Sequence, residues 1–184
     1  MRTLEESGWW NAGMRRCAAR LLALSDLPEA GAMLDVGCGS GQSLRWFRSL
    51  YPGWTTYGLD VAREGLAAAF HLGESAVVEA SATSLPFSDA SIDSVITLDV
   101  LQHLPLDGGD MEALSEMHRV LRPNGILLLR TNAQAFPVTA DDPAHDFHKY
   151  GTRELRGKLA VAGFEVLRLS RINALLGQIG RAHV

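Results

Sequence analysis

The stretch Leu34-Asp35-Val36-Gly37-Cys38-Gly39-Ser40-Gly41 constrains this chain more than any other. It joins an apolar run, residues 32–37, to a helical pattern over residues 41–51, so its glycines stand at a strand-to-helix turn. Glycine lets the backbone turn sharply and lets a ligand approach the main chain without meeting a Cβ. A Gly-x-Gly-x-Gly string alone does not name the ligand, but two neighbours narrow it. Gln42 stands where a dinucleotide fingerprint carries its third glycine. The next apolar run ends in Gly58-Leu59-Asp60, with the acid 19 residues beyond Gly41, where a carboxylate can accept both hydroxyls of a ribose. A ribose is implied and a pyrophosphate cradle is not.

The rest of the chain alternates short apolar runs with helical patterns, which predicts parallel βαβ units. Helices are expected over 12–27, 41–51, from about 61 to 71, 110–121 and 152–162. Strands are expected over 32–37, 55–60, 76–80, 91–99, 126–130 and 164–169. Ile126-Leu127-Leu128-Leu129 is continuously apolar, as a strand covered on both faces must be. The fold class that follows is a doubly wound, Rossmann-like α/β sheet, whose ligands sit at the carboxyl ends of its strands. With 17 Lys and Arg against 21 Asp and Glu in 184 residues, the net charge is −4. No basic stripe exists for a nucleic-acid backbone, and no apolar run is long enough for a bilayer. Cys17 and Cys38 are the only cysteines and form no disulfide framework. A cytoplasmic location is expected, with no nucleic-acid or membrane partner; oligomeric state is left open.

In its ordered motifs the chain resembles the class I S-adenosylmethionine (SAM)-dependent methyltransferases, of the type 11-like domain, from about residue 30 to 176. Leu34–Gly41 is similar to that family's first motif, and Gly58-Leu59-Asp60-Val61-Ala62 to the end of its second strand. Ser84-Leu85-Pro86-Phe87 with Ser91-Ile92-Asp93, Val100-Leu101-Gln102-His103-Leu104, the run from Met117 to Gly125, and Ala162-Gly163-Phe164 are similar to the later ones. The resemblance implies SAM as cofactor. It implies that Gly37, Cys38, Gly39 and Gly41 line the methionine part, with Asp35 organising the loop and reaching the ammonium. Asp60 would hold the ribose and Val61 would pack near the adenine. Ser81 and Ala82 would touch adenine's amino edge, where many relatives carry an acid. Leu98 and Asp99 would close the pocket.

The implied reaction moves a methyl group to O, N or C of a small-molecule acceptor by in-line displacement. His103 is the first candidate for a base and Asp99 the second. His145, His148 and Tyr150, in the long polar and aromatic loop after the fifth strand, are candidates for binding the acceptor. His145 and His148 with Asp146 lack a full ligand set, and no metal is expected. The alternatives are a non-catalytic SAM-binding protein and a NAD(P)-binding oxidoreductase, the second weakened by Gln42 and by Asp35 before the glycines. Trp9 and Trp10, ahead of the first helix, are expected to cover core apolar surface.

The organisation expected is a helical cap over 1–30, a SAM-binding domain over 31–177 incomplete at its carboxyl end, and a non-native tail over 178–184. The resembled fold adds a final antiparallel strand, and none is expected here. Ile179-Gly180-Arg181-Ala182-His183-Val184 is the translation, up to a stop, of AGATCGGAAGAGCACACGTCTGA, a widely used sequencing adapter. That frame requires the preceding codon to end in AG, which Gln178 satisfies.

Overall fold

A computed structural model describes residues 4–105, 107–133, 148–170 and 180–183, with the backbone alone for 4–11 and 180–183. Five parallel strands form the centre: β1 (Ala32–Val36), β2 (Thr55–Asp60), β3 (Val77–Glu79), β4 (Ile92–Leu98) and β5 (Leu121–Asn132). Their order is β3-β2-β1-β4-β5, and β6 (Gly180–His183) pairs antiparallel with the outer edge of β5. The chain reverses its direction of travel across the sheet between β1 and β4. That reversal opens a crevice at the carboxyl ends of the strands.

Side chains alternate across the strands and sort the core into two layers. Leu34, Val36, Val95, Leu127 and Leu129 face α4 (Gly109–Val120) and α5 (Thr152–Val161), meeting Leu114, Met117, Leu155 and Leu159. Met33, Ile96 and Leu128 face α1 (Leu4–Leu22) and α2 (Gln42–Leu50), meeting Leu21, Leu22, Leu44 and Phe47. Leu66 of α3 (Arg63–His71) packs against this second layer. Phe47 is fully enclosed, with Tyr51 at 4.8 Å and Trp54 at 5.4 Å between ring centroids. The amino ends of the strands are tied by Asp93, which accepts the Ala32 amide at 2.8 Å and Arg122 at 2.5 Å. Burial pushes the Asp93 pKa up, but Arg122 and the amide outweigh it and hold the carboxyl below its ordinary value.

Three expectations change. The first helix covers Leu4–Leu22, so Trp9 and Trp10 lie within it by backbone, and 23–27 has left the helix. Residues 164–169 form none of the named strands: Phe164 and Val166 pack toward the first layer, while residues 180–183 take the edge of β5. An antiparallel strand therefore is present, four residues long, within the segment expected to be non-native. Among the described residues, no helix is long and apolar enough to cross a membrane.

Because neighbouring aromatic rings and strands cannot collapse into the space, Phe47→Ala is expected to cost about 3–5 kcal/mol of unfolding free energy. Urea unfolding of the two proteins measures this directly.

Candidate active site

The loop between β1 and α2 is held by the neighbouring strand. The amides of Gly37 and Cys38 both donate to the Leu59 carbonyl, at 2.8 and 2.9 Å. The Gly39 amide donates to Asp60 Oδ2 at 2.8 Å, and Asp60 Oδ1 accepts the Ala62 amide at 2.8 Å. Gly37 has φ 83°, and Val100 Cγ2 lies 2.2 Å from where its Cβ would be, so conformation and contact both require glycine. Gly39 has φ 50°, and a Cβ there would meet nothing within 4 Å. The main chain at Gly39 thus borders open space, with the Asp60 carboxylate beside it. Each Asp60 oxygen accepts one amide and keeps a further lone pair.

Asp35 is 1% exposed, and the Ser43 hydroxyl of α2 donates to it. Burial raises its pKa to about 7, the Ser43 hydrogen bond opposes that rise, and the charge of Asp60 adds to it. The Cys38 thiol is buried and pushed up to about 12, first by burial and then by Asp35 and Asp60. Such a thiol stays protonated and is a poor nucleophile. The crevice therefore presents carboxylates beside main chain whose amides are already paired, a setting that favours a cationic ligand and disfavours a pyrophosphate.

The remaining candidates fall in two groups around this loop. Toward β3, the Ala80 amide donates to the Asp60 carbonyl at 3.1 Å, which brings Ser81 and Ala82 beside the acid. Ser81 Oγ is 2.8 Å from Thr83 Oγ1, Ala82 is buried in the core, and Val61 is 68% exposed at the rim. Toward β5, Leu98 is partly buried at the end of β4, and Asp99 follows with φ 63°, unusual for a residue bearing a side chain. Arg130 of β5 forks onto Asp99, with Nε donating to Oδ1 at 3.1 Å and Nη2 donating to Oδ2. His103 ends a one-turn 3-10 helix, Leu101–His103, whose Gln102 Oε1 accepts Thr131 Oγ1 at 3.0 Å and the Asn132 amide at 3.3 Å.

Residues 148–150 join the tip of β5 through a bridge between Ala133 and Tyr150. His148 pairs with Glu154 at 2.9 Å and lies edge-on to the Tyr150 ring. Tyr150 is buried; its hydroxyl donates to Asp110 Oδ2 at 3.0 Å, with the Leu101 carbonyl within 3.2 Å and Lys158 on the same Asp110 oxygen. Burial and Asp110 push the Tyr150 pKa above its ordinary value. Its hydroxyl thus ties α4 to the Leu101–His103 turn, Lys158 brings α5 to the same carboxylate, and the Tyr150 amide donates to the Asn132 carbonyl at the end of β5. His145 lies outside the described residues. Asp35, Gly37, Cys38, Gly39, Gly41, Asp60 and Val61 come together, Ser81, Ala82, Leu98 and Asp99 flank them, and His103 and His148 stand on the β5 side. Ser43, Arg130 and Gln102 are partners that the sequence reading did not name. Of these, Arg130, a cation closing an otherwise apolar strand, carried a readable signal.

Residues 34–129 match the family model described as a methyltransferase domain, more than half of the chain. The chain belongs to the class I SAM-dependent methyltransferase family. It is 32% identical over 176 residues to a Mycolicibacterium smegmatis protein named a probable SAM-dependent methyltransferase, covering 89% of this chain and 62% of that one. It is 31% identical over 106 residues to an Arabidopsis thaliana tRNA (carboxymethyluridine(34)-5-O)-methyltransferase, covering 58% of this chain and 25% of that one. The crystal structure of a Methanosarcina mazei SAM-dependent methyltransferase superposes with TM-score 0.69 at 24% identity, over 85% of this chain and 92% of that one. The chain spans less than two thirds of the length of these two curated relatives. SAM is the family's cofactor, and the crevice fits it: open main chain at Gly39, a carboxylate with lone pairs for a ribose, and acidic surroundings for a cation.

Without ligand, this fit has a stability cost whose sign is fixed by Asp35. Its folded pKa lies above the ordinary value of 3.8, so the folded state holds the extra proton between pH 4 and 7 and loses relative stability as pH rises. Asp35→Asn is therefore expected to unfold about 2–4 kcal/mol later than the wild type above pH 7, the gap closing toward pH 4. Urea titrations across that range measure it.

Proposed function

We propose that the protein methylates O, N or C of a small-molecule acceptor by in-line displacement, using SAM bound at the tips of β1 and β2. The observation that carries this reading is the open main chain at Gly39 with the Asp60 carboxylate against its amide. The strand order supports one direction for the ligand. With Asp60 on β2 holding the ribose, Ser81 and Ala82 beyond β3 would receive the adenine and the loop after β1 the methionine part, the order in which the strands stand. Asp99 at the tip of β4 would then stand on the side of the transferred methyl.

The cofactor, when bound, supplies a methyl group already activated on a sulfonium. The chain's part is to orient and to exclude water. Val61 would cover the adenine edge, Leu98 would close the wall, and Asp35 would meet the ammonium. Asp99, gripped by Arg130, offers the acceptor a fixed hydrogen-bond acceptor. His103 stands on the rim as the base for an acceptor that must lose a proton. His148 and His145 contribute to the acceptor side, and Tyr150 holds that side in place from the interior. The amino-terminal part of the chain serves as a helical cap, and the cytoplasm is the proposed location.

A small acceptor is favoured over RNA by the net charge of −4 and by the acidic crevice. Labelled-methyl transfer to small-molecule extracts and to bulk tRNA separates the two; label in tRNA alone would overturn the small-molecule reading. Calorimetry with S-adenosylhomocysteine and NAD tests the cofactor. S-adenosylhomocysteine is expected to bind and NAD not to. Asp60→Ala is expected to weaken the former by about tenfold or more, the loss of hydrogen bonds to a charged group. Binding of NAD alone, or an Asp60→Ala protein with unchanged affinity, would sink the reading.

A further inference from the structure

A loop that relies on several glycines gains access to the ligand at the expense of rigidity, so something else must fix it. The structure supplies a buried carboxylate beside it. Glu74, in the turn after α3, is 3% exposed, and its Cγ lies 2.7 Å from the place a Cβ on Gly41 would take. Its Oε1 accepts Arg48 Nη2 of α2 at 2.5 Å. Arg48 Nη1 donates in turn to Thr56 Oγ1 of β2 at 2.7 Å. Arg45 Nη1, also on α2, is buried without a hydrogen-bond partner among the described residues and stands 3.8 Å from the same carboxylate oxygen. Glu74 thus joins the turn after α3 to the last turn of α2 and the last glycine of the loop, and through Arg48 to β2. Its charge also reaches the Cys38 thiol, alongside those of Asp35 and Asp60.

Stability alone is a weak reason for such a group. Desolvating two charges offsets most of their attraction, and apolar residues of similar volume often serve as well or better. An ion pair differs from an apolar contact in direction: the guanidinium fixes where the carboxylate, its stem and the glycine against that stem must lie. The Gly41 amide donates to the Cys38 carbonyl at 2.9 Å, which passes that constraint to the residues whose amides face β2.

We propose that Glu74, clamped by Arg48, is a positioning residue for the cofactor loop, holding Gly41 and the turn behind Cys38 and Gly39 in the form that receives SAM. The proposal rests on the methyltransferase reading, because it takes this loop as the cofactor's seat. Two measurements test it: the Kd for S-adenosylhomocysteine by calorimetry and hydrogen exchange at the loop amides of the ligand-free protein. The variants are Glu74→Gln and the apolar double substitution Glu74→Met with Arg48→Met.

Both variants are expected to raise Kd about tenfold and to speed exchange at Gly39 and Gly41 by about as much, while the double variant keeps a near-normal Tm. Asp110→Asn, which breaks the buried pair with Lys158 on the other face of the sheet, is expected to lower Tm with Kd within about twofold of wild type. If the double variant fails to fold, Glu74→Gln against Asp110→Asn still decides. A Glu74 variant with wild-type Kd and unchanged loop exchange would reduce the pair to a fold staple and overturn the proposal. If the wild type binds no S-adenosylhomocysteine, the methyltransferase reading fails instead, and the exchange arm still reports whether Glu74 fixes the loop.

Discussion

A carboxylate at the end of β2 accepts an amide from the loop that follows β1, and the rest of the site is arranged around that bond between Asp60 and Gly39. It works with the Leu59 carbonyl, which takes the amides of Gly37 and Cys38. Three successive amides of a flexible turn are thereby satisfied by one neighbouring strand before any ligand arrives. The loop is prepared in advance, which lowers the ordering cost of binding. Val100 packing onto Gly37 adds β4 to the same arrangement. Asp99, one residue earlier, has φ 63°, a conformation that residues bearing a side chain seldom adopt.

The two ends of the sheet treat charge differently. At the amino ends, carboxylates meet guanidinium groups: Asp93 meets Arg122, and Arg119 reaches Glu116, Asp89 and the carbonyls of Leu85 and Phe87. At the carboxyl ends of β1 and β2, Asp35 receives only a hydroxyl and Asp60 only amides from the described residues. Carboxylates without a cationic partner at the tips of β1 and β2, beside Asp99 paired with Arg130 at the tip of β4, suit a positive ligand there. SAM carries an ammonium and a sulfonium, which is the charge the crevice lacks.

Most of the fold was legible because its strands are short apolar runs separated by glycine and proline, and because βαβ order leaves few topologies. The glycine loop and Asp60 were legible for the same reason: both stand at strand ends, where the period of the pattern changes. What escaped was long-range or local in energy. Residues 164–169 carry an alternating apolar pattern, yet whether such a run joins the sheet depends on which segment reaches the edge of β5 first. Ser43, Glu74 and Arg130 read as ordinary helix, turn and strand residues until Asp35, Gly41 and Asp99 are brought to them. Tyr150, in a loop that suggested substrate, owes its burial to Asp110, 40 positions earlier.

The central claim is that a nucleoside cation lies against the Gly39 main chain and Asp60. Its most direct test is a titration of nitrogen-15-labelled protein with S-adenosylhomocysteine, followed amide by amide. Saturable shifts at Gly37, Gly39 and Ala62, with Gly125 and Gly163 at the opposite end of the sheet unmoved, are the predicted result. Saturation with the loop and Ala62 amides unmoved, or with the shifts gathered around Gly125 and Gly163, would contradict it.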